Sequence, residues 1–228
     1  MKKYHLFKMD LKILNIVSIL ILLIVLLFTF IFFRSNFISM FSLFNRASFC
    51  ILLLPTMIFY FMLHEIFHAV GYVIHGADFK KITFGMELEK GVFYCLCKQD
   101  IKRNTILLSL IYPLFFIGFV TYIIAIIFNL DILLLLSIIN ISGAAGDIMY
   151  FMFIVKLNKD VLFSEMDDGT SFVLQNIDDV NKYKHFGLEY CGVIDKVKRK
   201  DFKKLYVSKL SFVVLIVCIV LLFVGVFK

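Results

Sequence analysis

Charged residues are scarce in this sequence. They make up 18% of the 228 residues, whereas 61% of the residues are hydrophobic and 28 are phenylalanine. The mean hydropathy is +0.94. So few charges among so many apolar side chains exclude a soluble globular domain of this length, and the composition is typical of an integral membrane protein.

The sequence also lacks the marks of a disulfide-stabilised or processed protein. Its cysteines are odd in number and none lies in a segment that we place outside the cell, which favours free thiols at Cys50, Cys95, Cys97, Cys191 and Cys218. A long apolar run without a small-residue cleavage site follows the basic N-terminus. We interpret this run as an uncleaved transmembrane helix. No internal repeat or low-complexity linker interrupts the chain.

Five apolar segments are each close to the roughly 20 residues that a helix needs to cross the hydrocarbon core. They cover residues of about 13–33, 48–74, 105–128, 132–155 and 210–227. Pro55 lies inside the second segment, where we expect a kink. We therefore predict an all-α integral membrane protein with about five transmembrane helices, which form a single membrane domain over residues 1–228.

The placement of lysine and arginine predicts the orientation in the membrane. Of these residues, 21 fall in the N-terminal tail, in residues 76–104 or in a loop of about 156–209, and only three fall on the other side. The positive-inside rule then places the N-terminus in the cytoplasm and the C-terminus outside the cell, in a multi-pass plasma membrane protein. Because the basic residues flank apolar runs, their expected partner is the lipid bilayer and not nucleic acid.

The cytoplasmic segment of about residues 80–98 has the pattern of a β-hairpin. Apolar residues alternate at Ile82, Phe84, Met86 and Leu88, a turn follows at 89–91, and Val92–Cys97 is rich in β-branched and aromatic residues. An amphipathic connector is the alternative interpretation. If the hairpin forms, an extended substrate segment could pair with it as an added strand. The later loop contains one short candidate strand, at Thr170–Leu174.

The second apolar segment carries the motif HExxH as His64, Glu65 and His68. On a helix the two histidines lie one turn apart on the same face, so that both imidazoles can bind one zinc ion. Glu65 flanks that face and can take a proton from water as a catalytic base. An ionisable group near the bilayer centre costs about 2.5–3.5 kcal/mol, and a bound metal gives a physical reason for three of them here.

A catalytic zinc usually has three protein ligands, and Asp147 is the best candidate for the third. It is the only charged residue of the fourth apolar segment. His68 lies roughly 12 Å and Asp147 roughly 13–14 Å from the cytoplasmic ends of antiparallel helices, so the two can meet at one depth. A packing carboxyl is the alternative interpretation of Asp147. His75 comes one residue too late for the pattern HExxHxxGxxH and is a weaker third-ligand candidate.

Small residues around Asp147 predict close packing of the fourth helix against the second. Gly143, Ala144 and Gly146 allow a near approach of the two backbones. Asn140 and Gly143 share the helix face of Asp147, which makes them candidate substrate-binding residues. Asn140 could alternatively hold a metal ligand.

The motifs together resemble a known family. HEIFH in the second helix, the hairpin, Leu110-Ile-Tyr-Pro113-Leu in the third helix and Asn140-x-x-Gly143-x-x-Gly146-Asp147 in the fourth are similar to the small bacterial family called "putative zincin peptidases". More distantly they resemble the site-2 protease family of intramembrane zinc metalloproteases. The resemblance covers roughly residues 55–172. It implies Zn²⁺ ligation by His64, His68 and Asp147, with Glu65 as the base.

The chain departs from the site-2 protease pattern at two positions. Gly143 stands where a proline is typical, and Ile148 stands where a glycine is typical. Both departures concern substrate binding and not metal binding. The predicted function is a zinc-dependent intramembrane metallopeptidase that acts on membrane protein or peptide substrates. A non-catalytic metal-binding membrane protein, either a transporter or a scaffold, is the alternative.

Overall fold

The computed structural model describes residues 3–45, 47–87, 92–166, 169–177 and 186–195. The predicted fifth transmembrane segment, at about 210–227, lies outside these residues.

Three α-helices lie between Leu11 and Ile74. Helix α1 (Leu11–Phe32) begins after Asp10, whose carboxylate caps the free N–H groups of the first turn. The short helix α2 (Arg34–Ser42) and a 3₁₀ turn connect it to α3 (Ala47–Ile74), which contains Pro55 and the HExxH motif. Helices α1 and α3 match the first two predicted segments to within two residues at each end.

The third predicted segment contains two kinds of helix. Helix α4 (Arg103–Pro113) is followed by a π-helical stretch (Leu114–Val120) and by α5 (Thr121–Phe128). Because proline has no N–H and its ring crowds the preceding turn, it disturbs the regular ladder of hydrogen bonds. The wider π turn follows Pro113 directly and is the local response to this disturbance.

The fourth predicted segment is broken in the structure. Helix α6 (Asp131–Gly143) ends before Ala144, and α7 (Ala145–Ile154) follows at a bend of 42°. The break lies within the Gly143–Gly146 run of small residues, directly before Asp147. In the part of the chain that the structure describes, three helices are long and apolar enough to cross a membrane, or four if the bent pair is a single span.

The prediction of an all-α protein is wrong. The hairpin of strands β2 (Ile82–Glu87) and β3 (Val92–Cys97) forms in the expected place. A second, five-stranded antiparallel sheet has the order β4-β5-β6-β1-β7. Its strands are β1 (Tyr4–Met9), β4 (Ile101–Lys102), β5 (Leu162–Glu165), β6 (Ser171–Gln175) and β7 (Leu188–Ile194).

The sequence did not predict the five-stranded sheet, because the pairing of β1 with β6 and β7 joins distant parts of the chain. Strand β1 pairs with β6 and β7, and His5 lies opposite both Leu174 and Val193. The segment of β1 carries basic residues directly before an apolar helix, so it has the pattern of a cytoplasmic tail. Of the five strands in this sheet, only β6 had a sequence pattern that predicted a strand, at Thr170–Leu174.

The five-stranded sheet gathers several helix ends on one side of the molecule. Strand β1 directly precedes α1, β4 directly precedes α4, and β5 follows α7. Rings of Phe7, Phe153, Phe163 and Phe172 pack with centroids 4.8–5.6 Å apart and join the end of α7 to the sheet. This aromatic core fixes α7, which carries Asp147, relative to the sheet.

Candidate metal centre

The HExxH motif lies on α3 as the helical spacing predicts. The rings of His64 and His68 are neighbours, with centroids 4.9 Å apart. Candidate ligand atoms of His64, Glu65 and His68 all lie within 4.8 Å of one another. One turn of a single helix therefore brings two imidazoles and one carboxylate to the same point.

Asp147 reaches this point from α7. Its Oδ2 atom lies 3.1 Å from Nε2 of His64, and its Oδ1 atom lies 3.4 Å from Nε2 of His68. The three side chains are only 8–17% exposed. The predicted meeting of α3 with Asp147 at one depth is therefore present in the structure, and the carboxylate contacts the histidines rather than Ser142 or Asn140.

Close packing of α3 against α4 holds His68 in place. A Cβ atom on Gly71 would lie 2.6 Å from Cα of Ser109, so only glycine fits between the two backbones. At this contact Ser109 Oγ donates to the carbonyl of His68, and Nδ1 of His68 lies 3.0 Å from the carbonyl of Ser109. Because a carbonyl can only accept, this Nδ1 carries the proton and the Nε2 lone pair points at the candidate metal position.

Asn140 lies behind His64, on the side away from Asp147. Its Nδ2 atom is 3.0 Å from Nδ1 of His64, and the residue is 1% exposed. Its Oδ1 atom is buried without a hydrogen-bond partner. Neither histidine ring is free to rotate, since each is held at Nδ1 by a neighbouring helix.

The donor set fits a zinc ion. Nitrogen ligands of histidine and oxygen ligands of aspartate bind zinc at about 2.0–2.2 Å in a tetrahedron, which places neighbouring ligand atoms roughly 3.3 Å apart. Oδ2 of Asp147 lies 3.1 Å from Nε2 of His64, and Oδ1 lies 3.4 Å from Nε2 of His68, so each carboxylate oxygen is at about this spacing from one histidine nitrogen. Such a site would leave a fourth position for water or substrate. With His64, His68 and Asp147 as its three protein ligands, the site needs no ligand from α4 or α5.

A cavity of about 420 Å³ opens onto this centre. Its wall includes the side chains of His64, Glu65, His68 and Asp147. The rest of the wall includes Gly143 and Gly146 of the bent helix pair, residues 93–96 of strand β3, and Met9, Leu11, Leu14 and Asn15 around the start of α1. Gly143 thus lies on the wall, as expected of a residue near substrate, whereas Asn140 is not among the residues that line it.

Two carboxylates bind the edge of β3 that faces the cavity. The Cys95 N–H donates to Glu65, and the Cys97 N–H donates to Glu165 Oε2 at 2.7 Å. Glu165 Oε1 also accepts from the hydroxyl of Tyr72 at 2.8 Å, one turn beyond His68 on α3. Burial raises the pKa of Glu165 to about 7, although its hydrogen bonds with Cys97 and Tyr72 oppose that shift. Glu165 therefore fixes the hairpin edge beside the candidate active site.

Sequence reasoning missed Glu165. The residue lies in a charged loop that carries no motif, 68 positions after Cys97 in the chain. Only the pairing of the five-stranded sheet brings it to the cavity.

His75, the weaker third-ligand candidate, lies elsewhere. Its Nε2 atom contacts the hydroxyl of Tyr112 at 3.3 Å, and it is not part of the histidine–glutamate group described above. His75 is seven residues beyond His68, close to the end of α3. The structure thus brings together Asp147, and not His75, with the HExxH motif.

Comparisons with known proteins agree with the chemistry of the site. Residues 57–162 match the model of a family described as "Putative zincin peptidase". The matched segment contains the HExxH motif, the hairpin and Asp147, so the predicted resemblance to this family is confirmed. Neither the comparison with curated proteins nor that with solved structures finds a match. The family description supports a metallopeptidase of the zincin type, which implies zinc.

Proposed function

We propose that this protein is a zinc-dependent intramembrane metallopeptidase that hydrolyses peptide bonds of membrane-associated protein substrates. The observation that carries the proposal is the contact of Asp147 with both Nε2 atoms of the HExxH histidines at 3.1 and 3.4 Å. Glu65 lies beside them in the same cavity, and both motifs fall within the matched family segment.

His64, His68 and Asp147 would hold the zinc ion. When bound, zinc supplies a Lewis acid that polarises the scissile carbonyl and lowers the pKa of water. Glu65 accepts a proton from the attacking water as the new carbon–oxygen bond forms. It then returns that proton to the leaving nitrogen as the carbon–nitrogen bond breaks. Ser109 keeps the His68 ring oriented during both steps.

The membrane setting of the proposal rests on helix length and charge. Among the described residues, three helices are long and apolar enough to span a bilayer, and the bent pair that carries Asp147 is a fourth candidate. The strand that precedes α1 shares a sheet with strands near the start of α4 and the end of α7, so these ends lie on one side of the molecule. Lysine and arginine are concentrated in the same segments, which favours the cytoplasmic side for the sheet and the N-terminus.

A direct test of the activity uses detergent-solubilised bacterial membrane proteins as the substrate mixture. We expect the purified protein to create new amino termini in apolar or membrane-adjacent segments. A zinc chelator should prevent their formation, and added zinc should restore it. Labelling of new amino termini followed by mass spectrometry provides the measurement. New termini that form equally with and without the chelator would contradict a metallopeptidase.

Strand β3 is the edge that we propose receives substrate. Cys97 donates to Glu165 and not to Ile82, its partner in the register, so this pair is of the non-hydrogen-bonded type. Alternation along the strand then points the N–H and C=O groups of Phe93 and Cys95 away from β2 as well. The cavity wall includes β3 but, among the described residues, no residue of β2. An extended substrate segment can therefore pair with β3 near Phe93.

Two proline variants separate the two edges of the hairpin. Phe93→Pro removes an N–H that points toward the cavity, and we expect the cleavage rate to fall at least about tenfold. Met86→Pro is a matched control, because it removes an N–H from the outer edge of β2, directly opposite Phe93 in the register. Cleavage rates and zinc contents of the two variants provide the measurement. Equal rates in both variants would contradict pairing at β3.

A further inference from the structure

The amide of Asn140 has an unresolved chemical conflict with His64. In the orientation described above, Nδ2 donates to Nδ1 of His64, and Oδ1 has no partner. A neutral imidazole that accepts at Nδ1 must carry its proton on Nε2. A protonated Nε2 has no lone pair for a metal ion. This orientation therefore both leaves a buried oxygen unsatisfied and blocks one of the two HExxH ligands.

The oxygen and nitrogen of an asparagine amide have nearly the same shape and exchange places by a half turn. We propose that Asn140 acts in the turned orientation, with Oδ1 accepting a hydrogen bond from Nδ1–H of His64. Asn140 is then a positioning residue that fixes the tautomer and ring angle of His64 and leaves Nε2 free for zinc. This role rests on the proposed zinc site and deepens it.

The turned orientation removes the conflict at His64. Oδ1, which has no partner at present, gains a donor, and Nε2 of His64 is left with its lone pair toward Asp147, 3.1 Å away. A buried polar atom without a partner costs about 1–3 kcal/mol, and the half turn carries Nδ2 to the former place of Oδ1. What favours the turned orientation is therefore the zinc ion, which needs the lone pair on Nε2 of His64. Metal-binding histidines generally donate their second nitrogen to a fixed oxygen acceptor.

The second histidine of the motif already shows this arrangement. Nδ1 of His68 lies 3.0 Å from the carbonyl oxygen of Ser109, which can only accept. With Asn140 turned, both rings carry their proton on Nδ1 and both present Nε2 to Asp147. The backbone of α4 orients one histidine, and a side chain of α6 orients the other.

The position of Asn140 agrees with a role behind the ligand. The residue is 1% exposed and is not among the residues that line the cavity, whereas Gly143 and Asp147 on the same side of the bent helix pair do line it. A substrate in the cavity would meet Gly143 and Asp147 first. The predicted contact of Asn140 with substrate would need the side chain on the wall.

The zinc affinities of two variants distinguish the two orientations of the Asn140 amide. Asn140→Asp keeps an acceptor for Nδ1–H but has no donor, and we expect its zinc dissociation constant to stay within about threefold of wild type. Asn140→Leu keeps the approximate volume without polar atoms, and we expect roughly 10- to 100-fold weaker binding. Competition with a chromophoric chelator in detergent measures both constants without any need for activity.

The order of the affinities decides the outcome. If Asn140→Asp binds zinc more weakly than Asn140→Leu, or if Asn140→Leu equals wild type, the positioning role is wrong. Ser137→Ala is the matched control, because Ser137 is also fully buried on α6 but bonds only to its own helix, at Leu134. Its zinc affinity should equal that of wild type. Wild type without zinc would instead contradict the metal site itself, which keeps the two failures distinct.

A measurement on wild type covers the case in which a variant does not fold. The chain contains five histidines, so nitrogen-15 spectra of histidine-labelled, zinc-loaded protein are simple to interpret. We expect two metal-bound rings, each with zinc on Nε2 and a proton on Nδ1. A ring bound through Nδ1, or only one metal-bound ring, would overturn the role of Asn140.

Discussion

Replacing Glu65 with glutamine is expected to lower the rate of peptide hydrolysis at least about 100-fold. A neutral amide cannot accept a proton from water, and general-base catalysis typically contributes 10²–10⁴-fold. The substitution retains the size of the side chain and an oxygen that can accept from the Cys95 N–H. Zinc content should therefore remain at the wild-type level. The rate of formation of new amino termini measures the effect.

The control for this experiment is the same chemical change at an exposed position. Glu189 lies on β7 with an exposed side chain, and Glu189→Gln should leave the rate unchanged. If Glu65→Gln retained more than about a tenth of the wild-type rate, a different group would have to be the base. If wild type and Glu65→Gln both held zinc and neither cleaved any protein, a metal transporter or a scaffold would be the better description.

Replacing Gly71 with alanine is expected to destabilise the protein strongly. Alanine is favoured over glycine inside a helix by about 1 kcal/mol, so helix propensity alone predicts a higher unfolding temperature. The structure predicts the opposite sign, because the new Cβ atom would lie 2.6 Å from Cα of Ser109 and force α3 and α4 apart. Overpacking of this kind typically costs 1–3 kcal/mol, and the shift would also separate His68 from Ser109. We therefore expect a lower unfolding temperature and weaker zinc binding.

Gly146→Ala is the matched control for this prediction. A Cβ atom on Gly146 would lie 3.7 Å from the nearest atom, a side-chain methyl group of Leu14, which is an ordinary contact. Its unfolding temperature should be equal to or above that of wild type. Thermal unfolding of both variants in the same detergent provides the measurement. A rise in the unfolding temperature for Gly71→Ala would contradict the close packing of α3 on α4.

The part of the site that sequence reasoning predicted follows from the spacing of residues along single helices. His64 and His68 are one helical turn apart, so their meeting follows from the period of the helix. Asp147 could be matched to the two histidines because Asp147 and His68 lie at similar distances from the cytoplasmic ends of antiparallel segments. The contact between Asp147 and both histidines is present in the structure. The roles of these residues as ligands, and of Glu65 as the base, stay predictions.

The parts that were not predicted depend on contacts between distant segments. Strand β1 has the composition of a basic tail and becomes a strand only because β6 and β7 pair with it. Glu165 reaches the cavity through the same sheet, and its partner Tyr72 lies 93 residues away in the chain. The bend at Ala144 was also missed, because a run of small residues indicates close packing as readily as a break.

The zinc content of the purified protein tests the central interpretation most directly. Elemental analysis of wild type, Glu65→Gln and Asp147→Ala, all purified in detergent without chelators, is the measurement. We expect about one zinc per chain in wild type and in Glu65→Gln, and much less in Asp147→Ala, because a catalytic zinc needs three protein ligands. Asp131→Ala, at the start of α6 where its carboxylate bonds to Ser39, should match wild type. Wild type without zinc, or Asp147→Ala with a full zinc content, would contradict the site formed by α3 and α7.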